Sequence, residues 1–254
     1  MELNVIFNED CSLTIDKMDG DSIDVILTSP PYNMTKRKGG YADTGRYDEY
    51  DDWKTEEEYI EWIVKLFKGF ERILKKNGVI LFNINYSVEN PILPYKVLCA
   101  IDKETEFTLA DPIVWKKKSG LPFPANQRRL CRIWENVFVI VRKSEMNTFK
   151  TNRKVKSISE KTGQKYYEVR YNLVEASNND GKTPFNQATY SSDLCKQLLE
   201  IYALPESVVY DPFMGTGTTA VACKEMGLNY IGSEISSKQV TYALERINRN
   251  GNKD

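Results

Sequence analysis

The chain has 254 residues and no histidine, and that absence removes whole classes of chemistry. Ser-His-Asp and Cys-His hydrolases, HExxH metalloenzymes and any imidazole general base all need the missing side chain. Cysteine is sparse. Cys11, Cys99, Cys131, Cys195 and Cys223 are scattered and form no C-x-x-C pair, so neither a disulfide framework nor a zinc site is expected, and no metal. No apolar run approaches the ~20 residues that span a bilayer. Met1-Glu2-Leu3-Asn4 carries no basic region or apolar stretch of a secretory leader, so cytoplasmic residence without a membrane partner is the expectation. Internal repeats and low-complexity tracts are missing too. What remains is an ordinary globular composition, 41% hydrophobic and 28% charged, long enough for one large core.

A formal net charge of −1 conceals segregation. From Asp43 to Glu61 the acids are opposed only by Arg46 and Lys54, whereas Lys116, Lys117, Lys118, Arg128, Arg129 and Arg132 stand with no acid between them. Arg142 to Arg170 is again mainly basic, and Phe123, Trp134, Phe149, Tyr166 and Tyr167 are interleaved with these runs. Any one run reads as a solvated face. Two neighbouring basic runs with aromatics bring a polyanion partner level with that reading.

Apolar periodicity alternates strand with helix. Strands are expected at about Asn4–Asn8, Ile23–Thr28, Val79–Ile84, Thr108–Trp115, Val137–Val141, Val208–Tyr210 and Tyr230–Gly232. Helices are expected at Ser12–Met18, from Thr55 to a stop at Asn77-Gly78, and at Ile92–Ile101, Ser192–Tyr202, Thr218–Met226 and Ser236–Ile247. Thr55 followed by Glu56, Glu57 and Glu58 suits a helix N-terminus, and Asn77-Gly78 suits a left-handed cap. Met34–Asp52 reads as a mobile loop, and Lys143–Pro184 as an insertion without strong periodicity. The pattern argues for an α/β fold with a doubly wound, mostly parallel sheet.

Two segments follow strands directly, at the sheet edge where ligands bind in such folds. Asp211-Pro212-Phe213-Met214-Gly215-Thr216-Gly217 has glycines that permit positive φ and close approach of a ligand. The next strand ends in Ser233-Glu234, where a carboxylate can take both hydroxyls of a ribose. The third glycine of the dinucleotide fingerprint is replaced near Ala220, which favours an adenosyl ligand over NAD. In Thr28-Ser29-Pro30-Pro31-Tyr32-Asn33, two prolines fix the backbone and remove two donors. The Ser29 hydroxyl and Pro30 carbonyl can then accept both hydrogens of a conjugated amino group, restoring its nitrogen lone pair, while Tyr32 stacks on the ring. Alone, the first segment reads as tight packing and the second as a rigid turn. The pair is what points to a site.

Together these residues resemble the exocyclic-amino DNA methyltransferases, which move the methyl of S-adenosylmethionine to N4 of cytosine or N6 of adenine. The family's [DNS]-P-P-[YFW] motif is Ser29 to Tyr32 here, and its D-P-F-x-G-x-G-T motif is Asp211 to Thr218. Catalytic motif before cofactor motif is the order of the circularly permuted β group. The resemblance implies a Rossmann-like methyltransferase sheet with residues 1–142 as its catalytic part, 143–185 as a small target-recognition insertion and 186–254 as the cofactor-binding part. It implies catalytic roles for Ser29, Pro30, Pro31 and Tyr32. Asp10, Thr28, Asp211, Phe213, Gly215, Gly217, Thr218 and Glu234 become the cofactor set, with Asp10 at the adenine amine and Glu234 at the ribose. Lys116, Lys117, Lys118, Arg128, Arg129 and Arg132 become the DNA-binding set.

The expected reaction is direct in-line transfer to a flipped base of double-stranded DNA, with the loop Met34–Asp52 closing over it. C5 methylation needs a thiolate in a Pro-Cys context, and no cysteine here follows a proline. Serine at the first motif position goes more often with cytosine N4, so that target is favoured and adenine N6 is the alternative. An RNA or protein-glutamine methyltransferase is more distant, because those place the glycine-rich segment first. Two departures stand out. The family's His-Glu pair is Trp134-Glu135 here, and Gln187–Ser192 lacks the usual His and Pro, leaving Thr189 or Ser191 for the methionine end of the cofactor. A cognate restriction endonuclease is compatible with the reading, as are a monomer and a homodimer.

Overall fold

The structure, a computed structural model, describes residues 2–33, 54–85, 90–120, 130–181 and 189–249. The expected loop Met34–Asp52, along with Phe123, Arg128, Arg129 and Gln187, lies outside them. In chain order the elements are β1 (Val5–Phe7), α1 (Cys11–Lys17), β2 (Ile23–Thr28), α2 (Glu56–Ile73), β3 (Leu74–Ile84), α3 (Leu93–Glu104), β4 (Phe107–Lys117) and β5 (Trp134–Arg142). A 3-10 turn at Lys143–Glu145 leads into β6 (Val155–Ile158), β7 (Lys165–Tyr167) and β8 (Leu173–Ala176). The chain closes through α4 (Ser192–Tyr202), β9 (Val208–Asp211), α5 (Thr218–Glu225), β10 (Asn229–Ser233) and α6 (Ser237–Arg249).

Eight strands form one sheet in the order β1-β10-β9-β2-β3-β5-β4-β8. Strands β1 through β3 in that order are parallel, and β5 is antiparallel to both neighbours. Successive strand residues face opposite sides, so β2 sends Val25 and Leu27 into a core with α4, α5 and α6 and Ile26 into a core with α1, α2 and α3, which Ile23 joins because the pairing shifts between Ile23 and Val25. Both faces are covered, which is why the inner strands read as continuous apolar runs. From β9 the chain winds outward to β10, and from β2 it winds the other way to β3. The adjacent pair β9 and β2 (Val25 opposite Val209, Ile26 opposite Tyr210) is therefore the topological switch point, where open α/β sheets hold ligands beyond the strands' carboxyl ends.

Helix α2 begins as the sequence predicts, with a full capping box. Thr55 accepts from the Glu58 amide and the Glu58 carboxylate accepts from the Thr55 amide. Its end differs. Asn77 is left-handed (φ 59°), but it turns a bulge inside β3 and does not cap the helix. Leu74 already pairs with Ile23, and pairing resumes at Val25 with Val79, so the residues between loop outward. Arg142 ends the helix in place of a glycine cap, donating to the carbonyls of Glu71, Leu74 and Lys75. The segment read as an aperiodic insertion also differs. Among the described residues its ribbon β6–β7 pairs only with itself, but β8 returns to the main sheet beside β4. No described helix is long and apolar enough to cross a membrane.

Candidate active site

Beyond the Ile26–Tyr210 pair, β2 runs out into Ser29-Pro30-Pro31-Tyr32 and β9 into Asp211-Pro212-Phe213. The two sequence motifs, far apart along the chain, thus leave the sheet side by side. Phe213 completes the junction, with its ring centroid 5.5 Å from that of Trp62 on α2 and its side chain in the same apolar cluster as Tyr32.

On the glycine-loop side, Asp211 lies beneath the loop at 1% exposure. It accepts from Thr219 Oγ1 (2.6 Å), Tyr190 Oη (2.8 Å) and the Phe213 amide (3.0 Å). Burial pushes its carboxyl above the usual carboxylate range, against these hydrogen bonds, which pull it down. Burial, reinforced by the Asp211 charge, raises the Tyr190 phenol and keeps it a donor. The Thr28 hydroxyl is buried without a partner in hydrogen-bond geometry, yet it faces Asp211 closely enough to lower that carboxyl. Tyr190 and Thr219 escaped the sequence reading, since nothing in their local pattern marks them.

Gly215 (φ 53°) and Gly217 (φ 81°) both need left-handed backbone, but they serve different neighbours. The Gly215 amide donates to Glu234 Oε2 at 2.8 Å. A Cβ on Gly217 would sit 2.7 Å from the Ala243 Cβ of α6, so this glycine allows close helix packing. Glu234 is nearly buried and its Oε1 accepts from the Ser236 amide at 2.9 Å. Its own amide bonds the Phe7 carbonyl, which ties the ends of β10 and β1 together. Asp10 is exposed, caps α1 and accepts from the Ser12 amide at 2.8 Å. Thr218 and Thr216 receive Arg246, whose guanidinium also pairs with Asp180 at 2.9 Å. The Ser191 hydroxyl is committed to capping α4 and to the Ser177 carbonyl.

On the Ser-Pro-Pro-Tyr side the rigid turn is anchored from outside. Tyr59 Oη donates to the Pro31 carbonyl (2.8 Å). The Asn33 amide brackets Lys54, accepting from its N–H and donating to its carbonyl. Ser29 Oγ lies 3.0 Å from Tyr32 Oη, and both reach Asn83 Oδ1, at 3.2 and 2.9 Å. Tyr32 Oη is also 3.2 Å from Glu135 Oε2. Asn83 and Glu135 come from β3 and β5, and only the strand pairing of the folded sheet brings them here.

Of the six bases read as DNA-binding, the three lysines carry acidic partners: Lys116 with Glu175 (2.8 Å), Lys117 with Glu135, and Lys118 with Asp193 (3.8 Å). The sequence shows a run without acids because those partners are distant in the chain. Arg132 sits in the β4–β5 connection, and Arg128 and Arg129 lie outside the described residues.

A family model described as DNA methylase, of the N6/N4 class, matches residues 23–245. The type II methyltransferase M.HinfI of Haemophilus influenzae is 28% identical over 96% of this chain and 68% of its own length. The DNA adenine methyltransferase YhdJ of Escherichia coli is 26% identical over 97% of this chain and 83% of its own. Among solved structures, the cytosine-N4-specific PvuII DNA methyltransferase superposes with a TM-score of 0.71 at 20% identity, covering 95% of this chain and 85% of that one.

Proposed function

The chain belongs to the exocyclic-amino DNA methyltransferases, the N6/N4 DNA methylase family, and from that premise we propose that it methylates N4 of a flipped cytosine in double-stranded DNA with S-adenosylmethionine as donor. The observation that carries this reading is the junction at the switch point, where Ser29-Pro30-Pro31-Tyr32 and the glycine loop leave adjacent parallel strands. Tight packing alone accounts for Gly217. It does not account for a nearly buried glutamate facing the Gly215 amide at the end of the next strand.

The donor set fits an adenosyl cofactor. In this reading Glu234, held by the Gly215 amide, takes the ribose hydroxyls, Asp10 the adenine amine and Phe213 the adenine face, and the left-handed Gly215 supports close approach to the backbone. When bound, S-adenosylmethionine supplies an electrophilic methyl. The remaining work belongs to the chain. Ser29 Oγ and the Pro30 carbonyl accept the two amino hydrogens and draw the nitrogen toward tetrahedral geometry. Tyr32 holds the ring, and no cysteine nucleophile is required. Serine at position 29 supports cytosine. Similarity to the adenine methyltransferase YhdJ is the observation that favours the second reading, adenine N6.

Residues 143–185 are assigned to target recognition. Their ribbon β6–β7 is exposed on every strand residue and carries Arg153, Lys154, Lys156, Lys161 and Lys165 beside Tyr166 and Tyr167. A two-stranded ribbon fits the major groove. The test is mass spectrometry of nucleosides after reaction with unmethylated duplex DNA. N4-methylcytosine is the expected product. N6-methyladenine alone moves the assignment to the second reading, and no methylated base overturns both.

A further inference from the structure

Behind Ser29 lies a polar cluster that the reaction as described does not use. Asn83 is 2% exposed and Glu135 7%. The Asn83 amide nitrogen donates to the Asn136 carbonyl at 2.9 Å and faces Glu135 Oε2 at 3.4 Å. Lys117 pairs with the other Glu135 oxygen. Both neighbours of that amide nitrogen are acceptors, so the orientation of Asn83 is fixed by its surroundings. Its oxygen must face Ser29 and Tyr32.

We infer that Asn83 is a positioning residue that holds the Ser29 hydroxyl as an acceptor for the target amino group, and that Glu135 and Lys117 hold Asn83 in turn. This rests on the base-facing role proposed for Ser29. The support is a count of protons. The Ser29 and Tyr32 hydroxyls carry one proton each, and the acceptors behind them are Asn83 Oδ1 and Glu135 Oε2. With Tyr32 donating to Glu135, Asn83 Oδ1 is the acceptor that the Ser29 proton reaches from inside the protein. Donation there points that proton inward and turns an oxygen lone pair outward. A serine free to rotate would present its proton to the incoming amine half-heartedly, or spend it on water. The cluster removes that choice before the base arrives, which is the preorganisation that raises turnover.

The same cluster explains why this site takes serine where an aspartate fits the family motif. A carboxylate at position 29 would face the acceptor oxygen of Asn83 and add a second negative charge close to the nearly buried Glu135, where Lys117 supplies a single compensating charge.

The test uses the full chain, methyl-labelled S-adenosylmethionine and duplex DNA from a strain without DNA methylation, with cofactor affinity by calorimetry and folding by thermal unfolding. Asn83→Leu is expected to lower kcat about 100-fold while cofactor affinity stays within about twofold. Ser29→Asp is expected to lose at least as much. Adding Glu135→Gln to Ser29→Asp should recover about tenfold, because the second charge goes and Tyr32 can accept from Gln and donate to Asp. A purely structural role for the cluster predicts additive loss instead of recovery. Ser29 is only partly buried, so its variants remain informative if Asn83→Leu fails to fold. Asn83→Leu or Ser29→Asp within about threefold of wild-type turnover, or no recovery in the double variant, overturns the inference. A wild-type chain that labels no DNA overturns the functional reading itself, and is distinguished by that control.

Discussion

Tyr32 stands in the polar cluster behind Ser29, whereas Gly215 stands against Glu234, so substitutions should separate their roles. Tyr32→Ala removes the ring proposed to stack on the target base and is expected to reduce turnover at least tenfold, base stacking being worth about 1–3 kcal/mol. Cofactor affinity should stay nearly intact. Gly215→Val forces a branched side chain into left-handed backbone beside the Glu234 carboxylate and should do the reverse. Calorimetry with the cofactor and DNA methylation assays on both variants check this; equal effects of both changes on cofactor binding would sink the division. Gly217 tests a third role. Gly217→Ala puts a Cβ 2.7 Å from Ala243 and is expected to cost about 2 kcal/mol of stability through overpacking and backbone strain, read as a lower denaturation midpoint. An unchanged midpoint would mean that α6 yields at no cost.

Among the elements, the ribbon β6–β7 is the one whose fold gives it least reason to exist alone. An isolated two-stranded hairpin is marginal in water, and neither strand buries a residue. If its lysines lie along DNA phosphates, Lys156→Ala and Lys165→Ala should each weaken binding of unrelated duplexes alike and reduce the slope of log affinity against log salt by about 1. Unchanged slopes would remove the ribbon from the interface. The elements also show how far the sequence could be read. β2, α4 and the start of α2 follow from periodicity and caps, and both glycine-loop and Ser-Pro-Pro-Tyr placements follow from the strands before them. The early start of β3 was hidden because Leu74 pairs with Ile23 across the sheet, and β8 because its partner β4 is remote in the chain. For the same reason Asn83 is illegible beforehand. A lone asparagine late in an apolar strand acquires meaning only when β5 brings Glu135 beside it.

At the scale of the molecule, the decisive pairing is β2 with β9, which welds the first and last parts of the chain into one sheet. Three buried thiols report on that weld from both sides. Cys11 lies in the core of α1–α3, and Cys195 and Cys223 lie in the core of α4–α6. Burial, with Asp10 nearby, pushes the Cys11 thiol up to about 12, and burial with Asp211 nearby raises Cys195 and Cys223. Since the thiolate is the reactive form, these three should be inert to a disulfide reagent at pH 8, and only the exposed Cys99 and Cys131 should react. As urea rises, Cys11 and Cys223 should become reactive over one shared transition if the two cores are a single cooperative unit. Opening of one core well before the other would contradict the weld. DNA adds a second contrast. Cys131 lies in the β4–β5 connection beside Arg132, whereas Cys99 lies on α3, so duplex DNA should slow modification of Cys131 and leave Cys99 unchanged. Equal rates with and without DNA at Cys131 would take that connection off the DNA-facing side.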